Sequence, residues 1–334
     1  MSPSDPRLLV TLAAEPALTS VLDRALPGIP WGYLDAVPPE HRDAAEALLV
    51  GSFRTGLGEV PLTSLPRLAF IQRIYTGIDG FPFDRVPAQV RVAGNVGAFA
   101  PFVSEHAVAL ALGAARELPR ALEAVRAGRL RPPPVQRVLY GSTVTILGFG
   151  EIGRAIAVRV RPFGARVVGV ARTDAPRPDV DTMFAADHLL DAVGPAQFVF
   201  EVRPLTARTR GTLGAREFGA MRPDAVFVNV GRAATVDEEA LYHHLRDHPD
   251  FRAAIDVWWE ENHAAGTLSS RFPFATLPNF LGTPHSAGYA PGADARAAEL
   301  AVENLVRYFR DGKPEHVVDR SEYESPPAPG DPPA

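Results

Sequence analysis

The segment GFGEIG, from Gly148 to Gly153, follows five residues suited to a buried strand, Thr143–Leu147, and heads an amphipathic stretch that runs to Arg161. No other feature restricts the fold as much. In a strand–turn–helix unit the first glycine permits a tight turn, the second lets backbone approach a pyrophosphate, and the third lets helix and strand pack closely. The helix N-terminus then offers free N–H groups and the positive end of its dipole to the phosphates. Gly148, Gly150, Glu151, Ile152 and Gly153 are therefore expected to line a dinucleotide site.

The surrounding chain repeats the same grammar. Apolar runs at Leu8–Leu12, Ala47–Val50, Leu68–Tyr75 and Val90–Val92 read as strands, with helices expected at Ala17–Leu26 and Glu40–Leu48. Later strands are expected at Thr143–Leu147, Arg166–Val170, Gln197–Val202, Ala225–Val230 and Arg252–Val257. Helices are expected at Glu151–Arg161, Asp237–Arg246 and Ala293–Phe309, and one long helix from Ser104 to Ala127 joins the two series. This pattern implies an α/β chain of two Rossmann-like domains, doubly wound parallel sheets with an active-site cleft between them. The expected division is 1–103 plus 289–320 as a substrate-binding, flavodoxin-like domain, 104–288 as the dinucleotide-binding domain, and 321–334 as a disordered Pro-rich tail.

Composition narrows the chemistry. A chain of 334 residues can bury two cores, and the absence of cysteine excludes thiolate nucleophiles, disulfides and Cys-based metal sites. No apolar run reaches the roughly 18 residues needed to span a bilayer. The start lacks the basic and apolar regions of a secretory signal, so a soluble, cytoplasmic protein is expected. With a net charge of −5 and Lys313 as the only lysine, there is no basic stripe for nucleic acid. His106, His243 and His244 fall on expected helices without H-E-x-x-H spacing, and no metal site is expected.

The end of the second strand of such a unit bears on the cofactor. An acid there would accept from a free ribose 2′-OH, whereas a 2′-phosphate calls for a cation. Here Ala171 is followed by Arg172 and Thr173, which favours NADP, with NADPH as the preferred form. NAD stays open through Asp174, three residues beyond Ala171.

Downstream, three segments place functional residue types after expected strands, where ligands of open α/β sheets bind. They are Arg232 in NVGRAATVDEEA, Asp256 with Glu260 and Glu261 in AAIDVWWEEN, and His285 in TPHSAG. Hydride transfer to a carbonyl needs, besides the dinucleotide, a cation to hold an anionic substrate and a proton for the developing alkoxide. Arg232 offers a planar fork, and His285 can change charge near neutral pH. A carboxylate on the other ring nitrogen would favour the imidazolium and fix its orientation. Glu261 is chosen on spacing, with Glu260 as the alternative.

The motifs TGIDGF, NVGAFAPFVSEHAVALAL, ILGFGEIGRAIA, RPLTARTRGTL, NVGRAATVDEEAL, AAIDVWWEE and TPHSAG, in this order, resemble the D-isomer-specific 2-hydroxyacid dehydrogenases over nearly the whole chain. The resemblance implies that Arg232 binds substrate, that Glu261 and His285 form the acid/base pair, and that Asp256 lies by the nicotinamide carboxamide. It further implies cofactor contacts from Pro204, Thr209, Val230 and Gly231, and substrate contacts from Thr76, Gly77 and Ile78 as well as Arg232 and His285. A glyoxylate- or hydroxypyruvate-type reductase and a homodimer are expected on the same ground. Two alternatives are a phosphite-type dehydrogenase of the same fold and a nucleotide-sensing, corepressor-like regulator.

Overall fold

In the computed structural model, which describes residues 5–51, 62–130, 136–263 and 265–323, the central strands are apolar on both sides, as parallel sheets covered by helices require. The chain falls into two units, residues up to Phe99 together with those from Pro291 on, and Ala100–Ala290. These divisions lie a few residues from the crossings expected at 103/104 and 288/289.

The first unit contains β1 (Leu8–Val10), α1 (Pro16–Ala25), β2 (Trp31–Tyr33), β3 (Ala47–Val50), β4 (Phe70–Arg73) and β5 (Arg91–Ala93). All strands run parallel in the order β2-β1-β3-β4-β5, the flavodoxin arrangement. The second unit carries α2 (Ala100–Ala115), α3 (Leu118–Arg126), β6 (Thr143–Leu147), α4 (Glu151–Val160), β7 (Arg166–Ala171), β8 (Thr182–Ala185), α5 (Leu189–Val193) and β9 (Phe198–Glu201). It continues with α6 (Ala215–Ala220), β10 (Val226–Asn229), α7 (Glu238–Asp247), β11 (Arg252–Ile255), the hairpin β12 (Glu260–Asn262) and β13 (Thr267–Ser269), and β14 (Phe280–Gly282). Its seven-stranded sheet has the order β14-β11-β10-β9-β6-β7-β8. The chain then returns to the first unit as α8 (Ala293–Asp311).

Strand alternation divides the first core. Leu8, Val10, Leu49 and Phe70 face Leu18 and Leu22 of α1 and Ala301, Val302 and Leu305 of α8. Leu9, Leu48 and Ile71 point the other way, onto Phe81, Phe83 and Val86. In the second unit, β6 and β9 are neighbours although β7 and β8 lie between them in sequence, so the direction of winding reverses at β6. That reversal opens a crevice at the carboxyl ends of the strands.

Three expectations need correction. The helix expected at Glu40–Leu48 is a single 3-10 turn, Pro39–His41, after which the chain enters β3. Burial of all four β3 residues in the sheet interior outweighs their helix propensity. The long helix expected from Ser104 to Ala127 starts at Ala100 and breaks at Glu117, whose φ of 49° is left-handed; Pro119 then sits in the first turn of α3. Ser321 and Glu322 are not part of a disordered tail: they belong to a 3-10 turn, Arg320–Glu322, capped by Asp319, and the Tyr323 ring lies 6.2 Å from Phe83. Residues 324–334 of the expected tail lie outside the described residues. Among the described residues no helix is long and apolar enough to cross a membrane.

Candidate active site

The glycine loop is fixed by close contacts. Gly148 adopts φ 99°, and a Cβ there would meet the Arg203 backbone nitrogen at 2.9 Å. A Cβ on Gly153 would lie 2.2 Å from the Gly148 carbonyl oxygen, so no side chain fits between turn and helix. Gly150, the N-cap of α4, differs, because a Cβ there meets nothing of the chain within 4 Å. Together with the unpaired first-turn N–H groups of α4, this open side fits a pyrophosphate. Glu151 is exposed and pairs with Arg154 at 3.3 Å, and Ile152 is half-buried. After Ala171, the last residue of β7, Arg172 and Thr173 are exposed.

Other expected cofactor contacts are occupied within the chain. The Thr209 hydroxyl donates to the Pro204 carbonyl at 2.6 Å and accepts from the Thr206 N–H at 2.9 Å, which closes that turn. The N–H groups of Val230 and Gly231 donate to the Glu201 carbonyl at 3.2 and 3.1 Å. Glu201, fully buried at the end of β9, holds Arg203 Nε through Oε2 at 2.9 Å.

Arg232 lies one turn beyond β10. Asn229 Nδ2 and Thr235 Oγ1 both donate to its carbonyl, at 3.1 and 2.8 Å, and its Nη1 donates to the Gly231 carbonyl at 2.8 Å. Asn229 Oδ1 also accepts the Gly231 N–H at 3.0 Å, so one buried amide shapes the whole turn. The sequence reading does not single out Asn229, although a polar amide closing an apolar strand is the signal that marks it.

His285 is held from two sides. Its φ of 53° places it in the left-handed region, which is uncommon outside glycine. Asp256, buried just past β11, braces the loop: Oδ1 accepts from Thr283 Oγ1 at 2.6 Å and the Ser286 N–H at 2.8 Å, and Oδ2 accepts the Ala287 N–H at 2.9 Å. Burial alone would raise the Asp256 pKa, but hydrogen bonds from His106, Thr283, Ser286 and Ala287 hold it below the usual range. Thus the aspartate assigned by resemblance to the nicotinamide also fixes the histidine loop. His106, expected to be a helix residue without a role, places Nε2 3.0 Å from Thr283 Oγ1 and 3.4 Å from Asp256 Oδ1.

Glu261, rather than Glu260, reaches the histidine. Its Oε2 lies 2.7 Å from His285 Nδ1, and its Oε1 accepts the Trp258 N–H at 2.7 Å. Burial opposes its charge, yet these bonds and the adjacent imidazoles keep its pKa below that of an ordinary glutamate. Glu260 instead takes the Ser269 hydroxyl at 2.5 Å across the hairpin. His263, which the sequence reading passes over, brings Nε2 to 3.2 Å from the same Glu261 oxygen. Donor atoms of Glu261, His263 and His285 all lie within 4.8 Å of one another, a grouping that sequence spacing does not reveal.

In the first unit, Thr76 Oγ1 donates to the Asn95 carbonyl at 2.8 Å, and Asn95 Nδ2 donates to the carbonyls of Ile74 and Ala297, each at 2.8 Å. Gly77 is half-buried, and Ile78 is buried in the core beside Phe81.

A family model described as the D-isomer specific 2-hydroxyacid dehydrogenase, NAD binding domain, matches residues 108–287, more than half of the chain. The chain belongs to this family. Membership makes it an oxidoreductase with an NAD(P)-binding domain. It is 29% identical over 333 residues to a glyoxylate reductase of Aeropyrum pernix, covering 94% of this chain and 96% of that one. A glyoxylate reductase of Thermococcus onnurineus is 30% identical over 266 residues, or 76% of this chain and 77% of the other. The chain spans about half, 48%, of a D-3-phosphoglycerate dehydrogenase of Methanocaldococcus jannaschii to which it is 28% identical. Among solved structures, a D-isomer specific 2-hydroxyacid dehydrogenase of Xanthobacter autotrophicus in complex with NADPH and MES superposes with a TM-score of 0.79 at 26% identity, over 96% of this chain and all of that one.

Proposed function

We propose that the chain reduces a small 2-oxo acid of the glyoxylate or hydroxypyruvate type to the 2-hydroxy acid, with NADPH as the favoured cofactor. The observation that carries this reading is the 2.7 Å contact between Glu261 Oε2 and His285 Nδ1, on a loop whose backbone Asp256 fixes. When bound, the nicotinamide supplies the hydride. Arg232 grips the substrate carboxylate and polarises the carbonyl with its planar fork. With Nδ1 committed to Glu261, Nε2 of His285 delivers the proton to the carbonyl oxygen. The Glu261 carboxylate on Nδ1 keeps the ring in one orientation. The N–H groups of Thr76, Gly77 and Ile78 are candidates for a second hold on the carboxylate.

The absence of an acid at the end of β7, with Arg172 and Thr173 exposed beyond it, supports a 2′-phosphate. The Xanthobacter relative, which binds NADPH, supports the same choice. A homodimer is supported by Leu118, Leu122 and Val125, exposed apolar residues along α3.

The test is NADPH oxidation by the full chain with glyoxylate, hydroxypyruvate, pyruvate and bulkier 2-oxo acids. Turnover of a small member is expected, and His285→Ala should lower kcat by about 10²–10⁴-fold. No turnover with any of them, or near-normal kcat in that variant, would sink the reading.

A further inference from the structure

One oxygen of Glu261 serves two imidazoles. His285 Nδ1 lies 2.7 Å from Oε2 and His263 Nε2 lies 3.2 Å from it, with the two rings edge to face at 5.5 Å between centroids. Two nitrogens and a carboxylate oxygen therefore converge on one point. Proton transfer through His285 needs only one of those contacts. His263 adds a second nitrogen donor that the proposed reaction leaves unused.

We propose that Glu261, His263 and His285 form a zinc-type transition-metal site whose occupation arrests the acid/base pair. Two imidazoles and one carboxylate match the donors preferred by Zn²⁺ and not those of Ca²⁺ or Mg²⁺, which take oxygen ligands. Metal–ligand bonds of about 2.0–2.2 Å in a tetrahedral site put donor atoms about 3.3–3.6 Å apart. The separations here, from 2.7 Å to no more than 4.8 Å, straddle that value. Two of the donors are already fixed: the Trp258 N–H anchors the free oxygen of Glu261, and the Asp256 brace sets His285. The third is adjustable, because His263 is 72% exposed and sits in the turn of the hairpin between Asn262 and Ala265. Rotation of that one ring completes the set of three, which leaves the fourth position of a tetrahedral ion to water or another exchangeable ligand.

Occupation changes what His285 can do. A metal on Nδ1 displaces the proton shared with Glu261 and leaves a single proton on Nε2. Donating that proton would create an imidazolate, so the ring no longer serves as the acid. The site thus acts as a reversible brake that responds to the free concentration of a borderline metal ion.

This brake rests on the proposed role of His285, but metal binding can be read without substrate. Full-length protein freed of metal by a chelator is titrated with Co²⁺, and the visible d–d absorption is followed; Zn²⁺ should then displace it. In parallel, each variant is assayed with its best 2-oxo acid against its own metal-free rate. His263→Ala and His263→Gln, both at an exposed position, are expected to abolish the Co²⁺ spectrum. They should raise the Zn²⁺ concentration for half-inhibition about tenfold or more, since even outer-shell partners of a metal are worth that much. His188→Ala, at an exposed imidazole 3.2 Å from Asp191, should leave both readouts as they were. No Co²⁺ spectrum in the unaltered protein, or unchanged Zn²⁺ response in both His263 variants, overturns the proposal. A Co²⁺ spectrum that depends on His263 without inhibition by Zn²⁺ overturns the brake. A chain without turnover that still shows the spectrum fails the functional reading alone.

Discussion

Two loops of the second unit, the glycine turn after β6 and the histidine turn after β14, both leave the carboxyl ends of strands in one sheet, yet they are built by different means. The first is set by what is missing: three positions without side chains, two of them filled by neighbouring backbone and one left open. The second is set by what is added: a buried carboxylate receiving a hydroxyl and two backbone N–H groups, and a second carboxylate on the ring. A cofactor cradle needs room, whereas an acid/base group needs orientation, and each loop spends its residues accordingly.

Several substitutions break or sharpen this contrast. Gly153→Val has the largest expected effect, because its Cβ would collide with backbone at 2.2 Å; chemical denaturation should show a loss of about 3 kcal/mol or more, or no soluble protein. Asp256→Asn should cost about 1.5–3 kcal/mol at neutral pH, in line with hydrogen bonds to a charged group. The sign with pH follows from its depressed pKa: the native carboxylate contributes stability above the unfolded value of about 3.9 and loses it as pH falls through the folded value. The gap between variant and parent should therefore narrow on acidification below about pH 4, and a gap that widens there would remove the brace from the account. Gly150→Ala should shift stability by no more than about 1 kcal/mol while raising the KM for NADPH, since its Cβ meets only the space reserved for phosphate. Arg172→Ala should lower the NADPH-to-NADH preference about tenfold, the scale of one charge-assisted contact, with little change in kcat. An unchanged preference would return the choice to Asp174.

How far the sequence discloses these loops follows the same division. The cradle is local: strand β6, three glycines and the start of α4 fall within eleven residues, and periodicity locates β6 to the residue. The α/β class and the parallel sheets follow from the same alternation. Glu261 beside His285 is legible only through spacing and resemblance, because 24 residues separate them. The Asp256 brace spans 27 to 31 residues, and His106 lies 150 residues from Asp256 in the chain, so no local pattern signals either. Pro119, in the first turn of α3 and without an N–H to continue α2, is the sequence signal for the break at Glu117 that apolar spacing alone does not show. Three-residue strands such as β2 are too short to show a period.

The cover of the first sheet also bears on how the chain is made. Part of the apolar cover over Leu8, Val10, Leu49 and Phe70 comes from α8, which is synthesised only after the whole of the second unit. The second unit is continuous and can close as soon as it leaves the ribosome. The first must wait with one face open, so the domain begun first is finished last, against the usual N-terminal-first order of folding during synthesis. During that interval the uncovered apolar face of the first sheet is the surface most open to aggregation.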